Sequence, residues 1–179
     1  GHRFVLITGG GKIARLYQGA LSTTTDASHE DLDWIGIYAT HLNARLVQMV
    51  FAPHAYESII TSPDQAYLAD ADASVIVGGG WTPGNSTDFV ATSLAEQSEA
   101  PYVLNLSNIT YAYTKDPDTY DDAEPIYDMQ WSEFQTLFNT EWTPGASVPF
   151  DPAATNKAAE HGLEVRIMND SSPRLTNFI

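Results

Sequence analysis

The sequence predicts an α/β protein, a three-layer α/β/α sandwich around a mainly parallel sheet. Three observations point there. Short apolar runs alternate with longer amphipathic segments along the chain. Three of those runs, RFVLIT (3–8), ASVIVGGG (73–80) and PYVLNLSN (101–108), are rich in consecutive apolar residues, as strands covered on both faces are. The first two lead into three consecutive glycines, the composition of a tight strand-to-helix turn.

The elements follow in order. Residues 3–8 form a buried strand that turns at Gly9, Gly10 and Gly11. In KIARLYQGAL (12–21), Ile13, Leu16, Tyr17 and Ala20 fall on one helix face. TTTDASHED (23–31) reads as a polar loop. DLDWIGIYATHLNARLVQMVF (31–51) keeps helical spacing, broken only by Gly36. YESIIT (56–61) is a candidate strand, and SPDQAYLADAD (62–72) a short helix and loop. ASVIVGGG is the clearest strand. STDFVATSLAEQ (86–97) is an amphipathic helix with a hydroxyl or Asp start. PYVLNLSN is the next strand, and ITYAYTKDPDTYDDAEPIYDM (109–129) has the turn composition of an excursion with a hairpin. WSEFQTLFNTEW (131–142) is a short helix, TPGASVP (143–149) a loop, and FDPAATNKAAEHG (150–162) a helix closed by Gly162. LEVRIMN (163–169) is a strand, and PRLTNFI (173–179) opens a helix.

Composition narrows the function classes. The 179 residues fit one domain, 43% hydrophobic and able to build a core. The formal charge is −15, from 23 acidic against 8 basic residues. A nucleic-acid binder needs a cationic stripe to displace counterions, and none is present. No run of apolar residues is long enough for a membrane span. The chain has no cysteine, which excludes disulfides and thiolate metal sites and suits the cytoplasm. It opens on Gly1-His2-Arg3 and stops at Ile179 within a helical pattern, so both ends are expected to be cut from a longer protein. The five His form no ligand pair at helical spacing, and no metal site is expected. Trp34, Trp81, Trp131 and Trp142 read as packing residues, with Trp81 the exception to watch inside its glycine turn.

Two candidate sites emerge from the residues alone. A strand feeding Gly9-Gly10-Gly11 into a helix offers unpaired N–H groups and the positive end of a dipole, a natural anion seat. Lys12 and Arg15 sit in the first helical turns, where like charge opposes the dipole, and an anion between them would resolve the conflict. The same glycines are also explained as a tight turn that lets helix pack on strand. The second seat is Gly78-Gly79-Gly80, with Ser86, Thr87 and Asp88 where the next helix begins. Plain N-capping by Ser86 or Thr87 explains those hydroxyls equally well. In open α/β sheets ligands lie beyond the carboxyl ends of the strands, where both turns belong.

The order and spacing of GGGKIARLYQ, DLDWIGIYATHLNA, VGGGWTPGNSTDFVA, TKDP and PFDPAA resemble those of bacterial and archaeal UMP kinases, in the amino-acid kinase superfamily. The resemblance runs from about residue 4 to residue 178 and implies a single amino-acid kinase-like domain over residues 1–179. It implies transfer of the ATP γ-phosphate to UMP, with Mg²⁺ screening the phosphates. Gly9, Gly10, Gly11 and Arg15 would hold the acceptor phosphate, and Asp33 the UMP ribose. Gly79, Gly80, Thr82, Thr87 and Asp88 would contact the nucleotide. Lys12, Ser107, Asn108, Tyr113 and Asp116 would serve ATP. Arg15 and Asp151 would act at the transferring phosphate. Asp33 reads equally as a first-turn helix carboxylate, and Asp151-Pro152 as N-cap and N1 of a helix. Self-association, as a hexamer, is the implied assembly. The family's opening strand with Lys and a glycine turn, and its closing strand, lie outside these 179 residues; Thr110-Tyr111 stand where it usually has Asp-Gly. Those departures keep open a non-catalytic binder or store of a nucleotide or of an oxyanion such as molybdate, or a structural subunit of an assembly.

Overall fold

The computed structural model describes residues 2–64, 73–138 and 148–169. The expected helix and loop over 65–72, Trp142, most of the 143–149 loop and the helix at 173–179 lie outside the described residues. The chain forms two compact units, Gly1–Leu94 and Ala95–Ile179.

In the first unit, strand β1 (Phe4–Ile7) pairs in parallel with β2 (Val75–Gly78). Helices α1 (Gly11–Thr24) and α2 (His29–Phe51) lie between them in sequence, and α3 (Thr87–Gln97) follows β2. Alternation along β1 shows how the layers form. Leu6 packs with Ala44, Val47, Val75 and Val77, so its face meets α2. Ile7 packs with Trp81, Val90 and Leu94, so the opposite face meets α3. Val77 and Val90 are fully buried, and each such side chain contributes about 1.5–3 kcal/mol. This is the three-layer order expected from the sequence.

Local chemistry sets the helix bounds. Ser28 and Asp31 form a capping box that starts α2, with the Ser28 hydroxyl accepting from Asp31 N–H and the Asp31 carboxylate accepting from Ser28 N–H. The Ser28 hydroxyl also donates to Asp31 Oδ2 at 2.6 Å, and that bond first, then the one from Ser28 N–H, holds the Asp31 carboxyl below its ordinary value. The polar loop expected over 23–31 is therefore shorter: α1 runs to Thr24 and α2 begins at His29. α2 runs through Gly36 without a break, and the missing side chain leaves room for Gln18 of α1, whose Nε2 lies 2.9 Å from where a Cβ would stand.

Two strand expectations are corrected. YESIIT forms no strand: the segment meets β2 at an isolated bridge from Ile60 to Gly78, with a second from Ala55, just before it, to Val75. Burial along β1 is incomplete: Phe4 and Val5 are 39% and 38% exposed, and β1 pairs with β2 on one side. β2 is buried along its whole length.

The second unit pairs β3 (Tyr102–Ser107) in parallel with β6 (Glu164–Asn169). The excursion between them carries the expected hairpin, β4 (Ala112–Tyr113) against β5 (Pro125–Ile126), and then α4 (Trp131–Leu137) and α5 (Pro152–His161). Gly162 ends α5 in the left-handed region at φ 63°.

Glu96, at the end of α3, is clamped by α5. Lys157 Nζ lies 2.6 Å from Oε2 and His161 Nε2 3.1 Å from Oε1. The Lys157 hydrogen bond holds the Glu96 carboxyl below its ordinary value, against partial desolvation. A folded pKa that is lowered stabilises fully above the unfolded value, and the contribution is lost as pH falls through the folded one. Glu96→Gln is expected to lower the melting temperature at neutral pH and to match the parent in acid below the glutamate range. Thermal melts at both conditions check this; an equal deficit at both would refute it.

Candidate functional site

The site is built where β1 and β2 end. Ile7 pairs with Gly78, and Thr8 N–H donates to the Gly78 carbonyl at 2.9 Å. Each strand then leaves through a glycine turn, so residues 9–11 and 78–80 are neighbours at the carboxyl end of a parallel pair.

The two turns differ in construction. Gly10 caps α1 without a side chain, and no acid occupies the first turn. Ala14 N–H is the first amide of α1 to meet a backbone acceptor, Gly10 O at 3.1 Å, so the amides of Gly11, Lys12 and Ile13 face outward. Gly11 has φ 58°, which favours glycine, and a Cβ at Gly9 or Gly11 would meet nothing within 4 Å. Lys12 and Arg15 are exposed beside this turn, and no ion pair ties either of them among the described residues. Open amides, open space and two uncommitted cations fit a phosphate.

The second turn is closed. Gly79 N–H donates to Ile60 O at 3.1 Å, and Gly80 N–H to Thr40 Oγ1 at 2.7 Å. A Cβ at Gly79 would lie 2.6 Å from Thr40 Oγ1 and one at Gly80 3.2 Å from Ile37 Cγ1. The expectation that the Gly79 and Gly80 amides form a second anion seat is thus corrected. These glycines let α2 approach the sheet, and their N–H groups are spent on holding it there.

Residues of α2 that sequence reading passed over hold both turns. Thr40 O accepts from Thr8 Oγ1 at 2.9 Å, and Thr40 Oγ1 donates to Ile37 O at 2.6 Å. His41 Nε2 lies 2.7 Å from Gly80 O. Asn43 Nδ2 donates to Gly9 O at 2.7 Å and to Gly10 O at 3.3 Å. The available signal was a helix face carrying Gly36, Thr40 and Asn43 among apolar neighbours, a polar row at i, i+4, i+7.

Asp33 lies near the start of α2, exposed, and its Oδ2 accepts from Gly84 N–H at 2.9 Å. It thereby pins the turn in which Asn85 Nδ2 donates to Thr82 Oγ1 at 2.8 Å. Ser86 Oγ accepts from Phe89 N–H at 3.1 Å, so Ser86 is the cap of α3 and Thr87 and Asp88 occupy its first turn. Trp81 is buried against Val90 and Leu94; its Nε1–H has no partner among the described residues.

In the second unit, Ser107 ends β3 and its hydroxyl donates to Asn108 Oδ1 at 3.2 Å. Tyr113 lies in β4. Asp116 shapes its own turn, accepting from Asp118 N–H at 3.0 Å and from Thr119 Oγ1 at 2.8 Å. Asp151 caps α5, accepting from Ala154 N–H at 2.8 Å with Pro152 behind it. The capping alternative read from Asp-Pro is present. Thr110 Oγ1 accepts from Asn169 Nδ2 at 2.9 Å, and Tyr111 meets Tyr127 edge-on at 5.0 Å. A cleft of about 720 Å³ opens between Tyr111, Tyr127, Trp131, Phe150 and Met168. Ser107, Asn108, Tyr113 and Asp116 do not line it. Among the described residues no three His, Asp or Glu gather as a metal cluster.

Comparison with known proteins bears on the family and the fold. The profile of the Amino acid kinase family matches residues 1–169. The uridylate kinase of Methanosarcina acetivorans is 35% identical over 180 aligned residues, covering 99% of this chain and 76% of that protein. The uridylate kinase of Hyperthermus butylicus is 32% identical, covering 97% of this chain and 76% of its own length. The crystal structure of uridylate kinase from Archaeoglobus fulgidus superposes with a TM-score of 0.85 at 26% identity, over 98% of this chain and 78% of that one. Aspartate kinase from Synechocystis shares the fold at a TM-score of 0.65 and 14% identity. Glycine turns at the ends of a parallel strand pair, a first-unit α/β/α layering and these matches lead to one conclusion: the chain belongs to the amino acid kinase family.

Proposed function

We propose that the chain is a uridylate kinase, transferring the γ-phosphate of ATP to UMP. The observation that carries the reading is the open amide turn at Gly9–Gly11 with Arg15 beside it, in a chain similar over nearly its whole length to uridylate kinases. The acceptor oxygen of UMP is already anionic near neutral pH, so no general base is needed. A bond forms from that oxygen to the γ-phosphorus, and the bond from the γ-phosphorus to the bridging oxygen breaks, leaving ADP and UDP. The protein's part is placement and charge neutralisation. Gly9, Gly10, Gly11 and Arg15 hold the UMP phosphate. Asp33 faces the ribose while keeping its turn, and Thr82, Thr87 and Asp88 lie on the nucleotide side. Lys12, Ser107, Asn108, Tyr113 and Asp116 are assigned to ATP and Asp151 to the transferring phosphate, in addition to its role as cap of α5. Mg²⁺ supplies charge screening on the phosphates. ATP and UMP place the protein in the cytoplasm.

A coupled assay of ADP formation with UMP, CMP and AMP tests the reading. UMP-dependent turnover is expected. A protein stabilised by molybdate but silent towards UMP would overturn it in favour of an oxyanion binder.

The protein also self-associates in this reading, and α2 offers the surface. Tyr38, Leu42, Leu46, Met49 and Val50 are between 59% and 70% exposed along one helix. From Trp34 to Tyr56 there is no acidic residue, in a chain of charge −15. Leu16 and Tyr17 of α1 are likewise 70% and 60% exposed, and a stable interface needs roughly 800 Å² per partner. A second copy, acidic elsewhere, meets least repulsion here, and a hexamer can be built on such pairs. Leu42→Glu with Leu46→Glu is expected to shift sedimentation toward monomer; a parent protein already monomeric at micromolar concentration refutes the surface.

A further inference from the structure

We infer that Asn43, on α2, is a positioning residue for the acceptor-phosphate turn. The inference rests on the uridylate kinase reading and adds a residue to it. Asn43 Nδ2 reaches two consecutive carbonyls, Gly9 O at 2.7 Å and Gly10 O at 3.3 Å. Both peptides are trans, since Ala52-Pro53 is the cis bond recorded among the described residues. In a trans peptide the N–H points opposite to its own C=O. Drawing the Gly9 and Gly10 carbonyls toward α2 therefore turns the N–H groups of Gly10 and Gly11 away from it. Neither of those amides has a backbone partner among the described residues.

The turn needs this hold. A Cβ at Gly9 or Gly11 would meet nothing within 4 Å, so no neighbour packs on that side of either residue, and Gly11 sits at φ 58°. Three glycines without side chains have the widest choice of backbone conformations, so an unheld turn would spread its amides over many directions. Asn43 supplies the constraint from outside the turn, with a side chain that has two donors and nothing to gain from the phosphate itself. Preorganised amides are worth more to a developing or resident anion than amides that must be turned on binding. Ala14 N–H also bonds Gly10 O, so α1 shares one of the two carbonyls, while Gly9 O is held by Asn43.

The consequence is specific to phosphate. Asn43→Ala and the isosteric Asn43→Asp, which loses the donor, are each expected to weaken UMP roughly tenfold while leaving uridine, which has no phosphate, unchanged. The KM for UMP rises by the same factor, with the KM for ATP held within about twofold. Titration calorimetry with UMP and uridine on the parent and both variants, with melts of each, reads this. Folded variants that keep their UMP affinity, or lose UMP and uridine in equal measure, overturn the positioning role. So does failure of both variants to fold, which would make Asn43 part of the scaffold. A parent that binds UMP no better than uridine refutes the phosphate seat itself, and with it both the functional reading and the role of Asn43.

Discussion

Arg15→Ala is expected to raise the KM for UMP roughly tenfold to hundredfold, about 1.5–3 kcal/mol, the range for a hydrogen bond to a charged group. Sequence reasoning alone would allow a larger loss, about 2–5 kcal/mol, as for a buried charge pair. Exposure decides between them. Arg15 lies open on the first turns of α1, so water screens part of its attraction for phosphate. Because no ion pair ties Arg15 among the described residues, its removal should leave the melting temperature almost unchanged. Arg15→Lys keeps the charge but not the two-pronged donor, and should recover only part of the affinity. Steady-state kinetics with UMP varied, beside a thermal melt, separates the cases. An unchanged KM in Arg15→Ala would remove Arg15 from the site.

Gly79→Ala is expected to cost about 1–3 kcal/mol of stability, the range for overpacking a filled interior. In a chain of this size that is a fall of roughly 2–4 °C in melting temperature for each kcal/mol. The new methyl would stand 2.6 Å from Thr40 Oγ1, 2.9 Å from His41 Cδ2 and 3.2 Å from the Thr40 carbonyl carbon. None can yield cheaply. Thr40 Oγ1 is committed to Gly80 N–H and Ile37 O, and His41 to Gly80 O. Pushing α2 outward would also strain the bonds of Asn43 to Gly9 and Gly10, so on the proposed reading UMP affinity should fall with stability. Gly9→Ala is the contrast. Its Cβ meets no atom within 4 Å, and it should spare the melting temperature while crowding the phosphate. Equal melting temperatures for Gly79→Ala and the parent would show that the α2 contact does not constrain this turn.

The two mutations mark how far the sequence could be read. Strand, glycine turn and helix at residues 3–21 were legible because each rests on local rules: apolar run, glycine punctuation, helical spacing. The cap at Asp151 and the closure at Gly162 were legible for the same reason. YESIIT was misread because its apolar residues are compatible with a strand, whereas pairing depends on the neighbour's backbone, which met it at single bridges. Gly9–Gly11 and Gly78–Gly80 look alike in sequence, yet one is open and the other filled by Thr40.

By itself the sequence determined the α/β alternation, the acidic balance without a cationic stripe, the family motifs and a glycine turn followed by two cations. The tertiary structure alone decided which glycine turn stays open and which side chain bonds its carbonyls. The physical reason is range. Helix spacing, turns and caps are contacts within a few residues, written directly in their order. The hold of Asn43 on Gly9 spans 34 residues, and that of Thr40 on Gly80 spans 40, so each exists only once α2 has packed on the sheet.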